Sequence, residues 1–317
     1  MRAARIIGSR EAAVEEAPVP TPEPNQVLFR VEGCGVCASN LGPWVGLPWT
    51  KYPLRPGESG HEAWGIVERV GNDVKTVAPG DRISAVSYNA YAEFDVADET
   101  GVIRLPSSLT GKPFPGEPLA CAFNIFERSR IEAGDTVAII GIGFLGAVLT
   151  RLVTAAGARV IAISKRPFSL TLAGEMGASE LIPLENHQEI CQRVEQLTHG
   201  RWCDRVIEAT GKQWPLDLAA ELVRTRGTLV IAGYHQDGTR QVNMQLWNWK
   251  GLDVINAHER DPELYLQGMR AAVDAVRTER LDPLPLFTHQ YPLEGLGNAL
   301  DATAERSAGF IKALVIP

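Results

Sequence analysis

The stretch TVAIIGIGFLGAVLT, residues 136–150, decides the fold of this chain. Thr136 to Ile140 is an apolar, β-branched run, the composition of a buried strand. Gly141, Gly143 and Gly146 then fit the pattern G-x-G-x-x-G. From Leu145 to Ala156 apolar residues fall at 145, 148, 149, 152 and 153, a helical period. A strand, a glycine loop and a helix in that order form a dinucleotide-binding turn. The glycines admit a tight bend and close approach of a pyrophosphate to the helix N-terminus. A packing turn with no ligand is the plainer alternative.

Working outward, Arg159–Ser164 reads as a second strand and Pro167 opens a helical stretch. Strands are expected again at 204–209, 227–232 and 252–257, and helices near 187–198 and 214–224. This alternation predicts an α/β fold with a doubly wound parallel sheet. Its strand 252–257 is apolar enough to extend the sheet into a second copy, giving a homodimer or homotetramer. Upstream of residue 117 the texture differs. Short strands at 27–31, 65–70, 80–83 and 91–96 lie between proline- and glycine-rich turns, an irregular β domain. Residues 262–278 read as a helix and 309–316 as a last strand.

The residue ending the second strand of such a unit selects the nicotinamide cofactor. A carboxylate there suits the ribose hydroxyl of NAD, and neutral or basic groups suit the 2′-phosphate of NADP. Ser164, Lys165 and Arg166 stand at this place, which favours NADP(H), with NAD(H) possible. Thr210, Gly233 and Asn256 follow later strands and are further cofactor candidates, as are Phe144 and Leu145 in the loop. His258 shares the end of the last of these strands.

The β-rich part carries Cys37, then His61-Glu62, then Glu117. Thiolate, imidazole and carboxylate are the usual ligand types of a catalytic zinc. Separate loops supply them, so spacing alone does not prove that they converge. Cys34 and Cys37 form one C-x-x-C with no second to complete a zinc ribbon.

These motifs together resemble the zinc-dependent medium-chain alcohol dehydrogenases, the family of sorbitol and threonine dehydrogenases. The parts that carry the resemblance are Gly60-His61-Glu62 with Gly65 and Gly71, Gly35 to Asn40, Glu117-Pro118-Leu119, and the loop 141–146. The resemblance implies a GroES-like catalytic domain, residues 1–117 and 258–317, around a Rossmann domain, residues 118–257. It implies Cys37, His61 and Glu117 as zinc ligands, with Glu62 beside the metal as a neighbour or transient ligand. It implies Ser39 as the proton-relay hydroxyl and Lys312 near Glu62 or the pyrophosphate. Trp44 and Trp49 are candidates for a substrate wall. Three departures stand out. Asn40 replaces the usual Asp, Gly42 replaces a histidine of the proton route, and residues 72–116 lack the cysteines of a structural zinc lobe. One metal per chain is therefore expected.

The expected activity is hydride transfer between the nicotinamide and a secondary alcohol or ketone, a polyol, sugar or cyclitol. The alternatives are an NADPH-dependent alkene or imine reductase on the same scaffold, and a nucleotide-binding protein without turnover. Composition narrows the field further. Of 317 residues, Lys and Arg number 31 against 38 Asp and Glu, a net charge of −7. That argues against a nucleic-acid partner, which needs a basic face. No membrane span and no signal peptide are legible, and the five cysteines are an odd number. A cytoplasmic enzyme with reduced thiols is expected.

Overall fold

The computed structural model describes residues 1–317, which form two compact units. One comprises Met1–Ala120 with Asp261–Pro317, the other Cys121–Arg260.

The Cys121–Arg260 unit is built on a six-stranded, all-parallel sheet. Its strands run in the order Glu180–Pro183, Arg159–Ser164, Thr136–Ile140, Cys203–Glu208, Val223–Ile231, Asp253–Asn256. The order reverses at Thr136–Ile140, the doubly wound pattern that alternation predicts. Ile139, Ile140, Ile161, Ile163, Val206, Ile207, Leu229 and Val230 are fully buried, because helices cover both faces of such a sheet. Helices Phe144–Ala155, Pro167–Glu175, His187–Leu197 and Gln213–Leu222 alternate with the strands. Asp253–Asn256 is the edge strand, and Val254 on it is exposed.

The other unit is antiparallel over most of its extent, as an irregular β domain should be. A seven-stranded sheet runs His289–Pro292, Ala313–Ile316, Gln26–Gly35, Glu62–Val70, Arg82–Ala85, Val102–Arg104, with Phe94–Asp98 paired to Gln26–Gly35. Arg2–Gly8 and Glu11–Glu16 form a separate hairpin. The core lies under the sheet and includes Phe29, Val67, Ile83, Tyr91, Phe310 and Trp44.

Register in this sheet positions the chemistry. Gly35 pairs with Glu62 and Cys34 with Ala63. Cys37, two residues past the end of one strand, therefore meets His61, one residue before the start of its neighbour. On the other side Leu314 pairs with Gly35, which brings Lys312 to the same end. Helix Gly116–Ser129 presents Glu117 in its first turn. Its start is tied down by a hydrogen bond from the Gly116 amide to Ser84 Oγ at 2.9 Å.

One expected element differs in extent, and two elements form that were not expected. The last strand is Ala313–Ile316 rather than 309–316, because Gly309 turns the chain at φ +84°. Helix Met244–Lys250 and strand Glu180–Pro183 form in segments whose periodicity is too short to read.

Candidate functional site

In the β-rich unit, Cys37 Sγ, a ring nitrogen of His61 and a Glu62 carboxylate oxygen lie within 4.8 Å of one another. Each is held from behind. His61 Nδ1 sits 2.9 Å from the carbonyl of Ser59, which accepts a hydrogen bond from Nδ1–H and leaves Nε2 as the ligand atom. Asn40, 4% exposed, binds both loops. Its Oδ1 accepts from the Cys37 amide at 3.0 Å and from the Tyr91 hydroxyl at 2.9 Å. Its Nδ2 donates to the same Ser59 carbonyl at 2.9 Å. The departure from Asp thus has a local reason: only an amide offers both a donor and an acceptor here. Ser59 holds this pose at φ +81°, a strained value for a non-glycine residue.

Glu62 is fully buried. Its Oε1 accepts from Lys312 Nζ at 2.5 Å, while Oε2 has no hydrogen-bond partner. Gly35 makes room for that carboxylate, since a Cβ there would stand 1.9 Å from Oε2. A buried, ionisable oxygen without a partner is costly unless something binds it. An orphan oxygen converging with a thiol and an imidazole is a donor set that fits zinc.

The electrostatics agree. Burial opposes a charged His61, yet the hydrogen bond and charge of Cys37, then the charges of Glu117 and Glu62, raise its pKa to about 10. Without a metal, the anionic nest holds a proton instead. Burial likewise opposes the Lys312 charge, but Glu62, Cys37 and Glu117 together hold its pKa above the ordinary value. Burial, and behind it the Glu62 charge, keeps the Glu117 carboxyl above the usual range despite His61 and Tyr265.

The sequence-derived residues fall as follows. Cys37, His61 and Glu62 come together. Glu117 is close enough to act on their charges but is not one of the three converging atoms, and its Oε1 accepts from the Tyr265 hydroxyl. Ser39, half-buried, donates its amide to Cys37 Sγ at 3.5 Å. Lys312 takes the Glu62 option. Trp44 corrects its expectation. It is a core residue, 2% exposed, whose indole N–H donates to Asp301 at 2.8 Å, so it has no face for a substrate. Trp49 stands 63% exposed. Tyr265 was not legible, being 148 residues from the carboxylate it binds.

In the other unit, Gly141 takes φ +98°, and helix Phe144–Ala155 begins at Gly143 with no side chain capping it. A Cβ at Gly146 would lie 2.1 Å from the Gly141 carbonyl, whereas one at Gly143 would meet nothing within 4 Å. One glycine is needed for packing and the other leaves open space beside the helix N-terminus, a cradle that fits a pyrophosphate. Ser164 ends its strand, buried, and Lys165 is exposed. The Arg166 guanidinium turns back over the loop, 3.4 Å from the Ile142 carbonyl.

The strand ends beyond carry a network that sequence reading missed. Glu208, fully buried, accepts from the amides of Thr210 at 2.6 Å and Gly211 at 2.9 Å and from the Thr210 hydroxyl. Its Oε2 meets His235 Nε2 at 3.0 Å, and His235 Nδ1 accepts from Arg240 at 2.8 Å. Beside it is a cavity of about 320 Å³ lined by Gly233, Tyr234, His235, Asn256 and His258. Thr210, Gly233 and Asn256 thus gather at the carboxyl ends of the strands, where such sheets bind ligands. No helix is long and apolar enough to cross a membrane.

Comparison with known proteins adds to this geometry. Residues 23–107 match the alcohol dehydrogenase GroES-like domain and residues 145–274 the zinc-binding dehydrogenase domain. Sorbitol dehydrogenase of Gallus gallus is 27% identical, over 92% of this chain and 89% of its own length. Sorbitol dehydrogenase of Bacillus subtilis is 25% identical, over 100% and 97%. A solved structure described as a zinc-binding dehydrogenase from Sinorhizobium meliloti, bound to NADP, is 26% identical with a TM-score of 0.85 over 100% of this chain and 99% of its own. Alcohol dehydrogenase TADH from Thermus sp. ATN1 gives 25%, 0.84, and the same coverage.

Proposed function

The chain belongs to the zinc-dependent medium-chain alcohol dehydrogenase family and is an oxidoreductase; from this we propose that it interconverts a secondary alcohol, of polyol type, and its ketone, using zinc and preferring NADP(H). The observation that carries the reading is the buried, unpartnered Glu62 Oε2 beside Cys37 and His61.

Cys37 and His61 would hold the metal with a carboxylate. Glu62 is the carboxylate in position, and Glu117 the second, released when Tyr265 lets go. When bound, zinc supplies a Lewis acid for a substrate oxygen, and the nicotinamide supplies the hydride acceptor or donor. The chain's own residues set the stage. Lys312 gives the buried Glu62 carboxylate its one cation. Ser59 and Asn40 fix the imidazole and the thiolate loop. The Ser39 hydroxyl takes the alcohol proton outward. Residues 1–117 with 258–317 serve as the catalytic domain and residues 118–257 as the cofactor domain. The exposed edge Asp253–Asn256 serves as the homodimer contact.

Cofactor choice rests on Ser164 and Arg166, with no carboxylate to repel a 2′-phosphate. A charge-assisted hydrogen bond contributes ~1.5–3 kcal/mol, a preference of about 10–150-fold. The test is a panel of polyols and ketones with both nicotinamides, on protein as purified, chelated, and reloaded with zinc. Zinc-dependent polyol oxidation favouring NADP(H), with Arg166→Ala weakening NADP(H) alone, is the expected outcome. Turnover of activated alkenes that survives chelation would replace this reading.

A further inference from the structure

Outside the site described above, one more cluster of metal-ligating side chains lies in the Cys121–Arg260 unit. His187 and Cys191 stand one turn apart on helix His187–Leu197, and Glu221 lies in the last turn of helix Gln213–Leu222. Donor atoms of the three lie within 4.8 Å of one another. His187 Nε2 is 3.0 Å from Glu221 Oε2, and Cys191 Sγ is 3.7 Å from the same oxygen. We propose that His187, Cys191 and Glu221 form a second zinc site, a clamp between two helices of the nucleotide-binding unit.

Four observations carry this. The spacing i, i+4 puts an imidazole and a thiol on one helix face, the arrangement by which paired helical ligands hold zinc. The separations suit the ion. Bonds of 2.0–2.3 Å at tetrahedral angles place ligand atoms about 3.4–3.6 Å apart, and the separations of 3.0 and 3.7 Å to Glu221 bracket that range. The charge suits it as well, since one thiolate and one carboxylate neutralise a divalent cation. Mixed sulfur, nitrogen and oxygen donors favour zinc over magnesium or calcium.

An ion pair between His187 and Glu221 accounts for two of these residues and leaves the third without a role. Cys191 Sγ makes only a long contact, 3.7 Å to Glu221 Oε2, which does little to hold it. The metal changes that. As the S–Zn bond forms, the S–H bond breaks and its proton passes to solvent. Lys250 Nζ does not compete for the site, as its hydrogen bonds go to the carbonyls of Ala220, Glu221 and Val223. His187 and Glu221 keep 31% and 45% of their side chains exposed. The ion can therefore enter from solvent, and water can fill its fourth position. The expectation of one metal per chain counted cysteines within residues 72–116, and this site lies outside that segment.

The test uses the full chain with the Cys37→Ser change, stripped by chelator, reloaded with zinc by dialysis and assayed by elemental analysis. One zinc per chain should remain, and Cys191→Ala or His187→Ala should remove it. Glu221→Gln, at an exposed position, should weaken it by at least ~10-fold. Cobalt in place of zinc should show a thiolate charge-transfer band that Cys191→Ala abolishes. Should Cys37→Ser not fold, alkylation of the wild type decides: zinc should slow modification of Cys191, mapped by mass spectrometry, and Glu221→Gln should undo the protection. Zinc uptake indifferent to Cys191→Ala, or Cys191 alkylated equally fast with and without zinc, would overturn the proposal.

Discussion

Replacing Lys312 by methionine tests how the metal centre is held together. The two side chains are nearly isosteric, so packing is kept and only the cation is removed. Lys312 is 6% exposed and Glu62 fully buried, with 2.5 Å between Nζ and Oε1. Breaking a buried pair from one side leaves an uncompensated charge and costs ~3–5 kcal/mol. In a unit of this size that is a fall of roughly 6–20 °C in unfolding midpoint. The loss should be largest in chelated protein. Zinc should recover more stability for Lys312→Met than for the wild type, because the ion takes over neutralisation of Glu62. Adding Glu62→Gln should restore most of the loss, because the stranded charge is gone. The assay is thermal unfolding by circular dichroism, with and without chelator, from acid to neutral pH. A solvated lysine would give a change within ~0.5 kcal/mol. A midpoint for chelated Lys312→Met equal to wild type would refute the buried-pair argument.

Three further outcomes are expected. Gly146→Ala should lose nucleotide binding and ~1–3 kcal/mol of stability, since its Cβ meets the Gly141 carbonyl at 2.1 Å and backbone cannot step aside; tight NADPH binding by fluorescence titration would count against it. Asn40→Asp should cost ~1–3 kcal/mol and reduce zinc affinity ~10–100-fold, because a carboxylate would face the Ser59 carbonyl with no donor; urea unfolding and metal competition measure the two effects. In chelated protein, the His61 pKa of about 10 against an unfolded value near 6.5 makes its contribution complete below 6.5 and lost as pH climbs towards 10; urea midpoints that stay flat across that range would contradict the anionic nest.

The parallel sheet was legible because its central strands carry short apolar, β-branched runs between helical periods. Thr136–Ile140, Arg159–Ser164 and Cys203–Glu208 all fall within a residue of the reading. Helix Gly116–Ser129 was not read from the sequence; Gly116 and Pro118 stand in its first turn, where proline is tolerated. Cys37 and His61 were named from ligand chemistry and resemblance, but their meeting depends on the Gly35–Glu62 register, which no local pattern encodes. The same limit explains Glu62 and Glu117. Which carboxylate points at the thiol is decided by Gly35, Lys312 and Tyr265, residues scattered across the chain. Trp44 was misread because a tryptophan near a ligand loop looks the same in sequence whether it faces substrate or core. Its burial is set by Asp301 and Gly297, which pack against it from far along the chain.

The strand that follows Lys312 has a consequence in time. Ala313–Ile316 pairs with Gln26–Gly35 across nearly the whole sequence. During synthesis Cys37, His61 and Glu62 leave the ribosome early, and Glu62 then has no cation of its own until the C-terminal strand docks. Until that moment the carboxylate must stay wet or protonated, and the strands around it cannot close into their final register. Assembly of the candidate metal site would thus wait for residues 312–316: a molecule lacking them would carry Cys37, His61 and Glu62 yet hold an ion in an open, exchangeable pocket, and zinc retention would report whether that strand is in place.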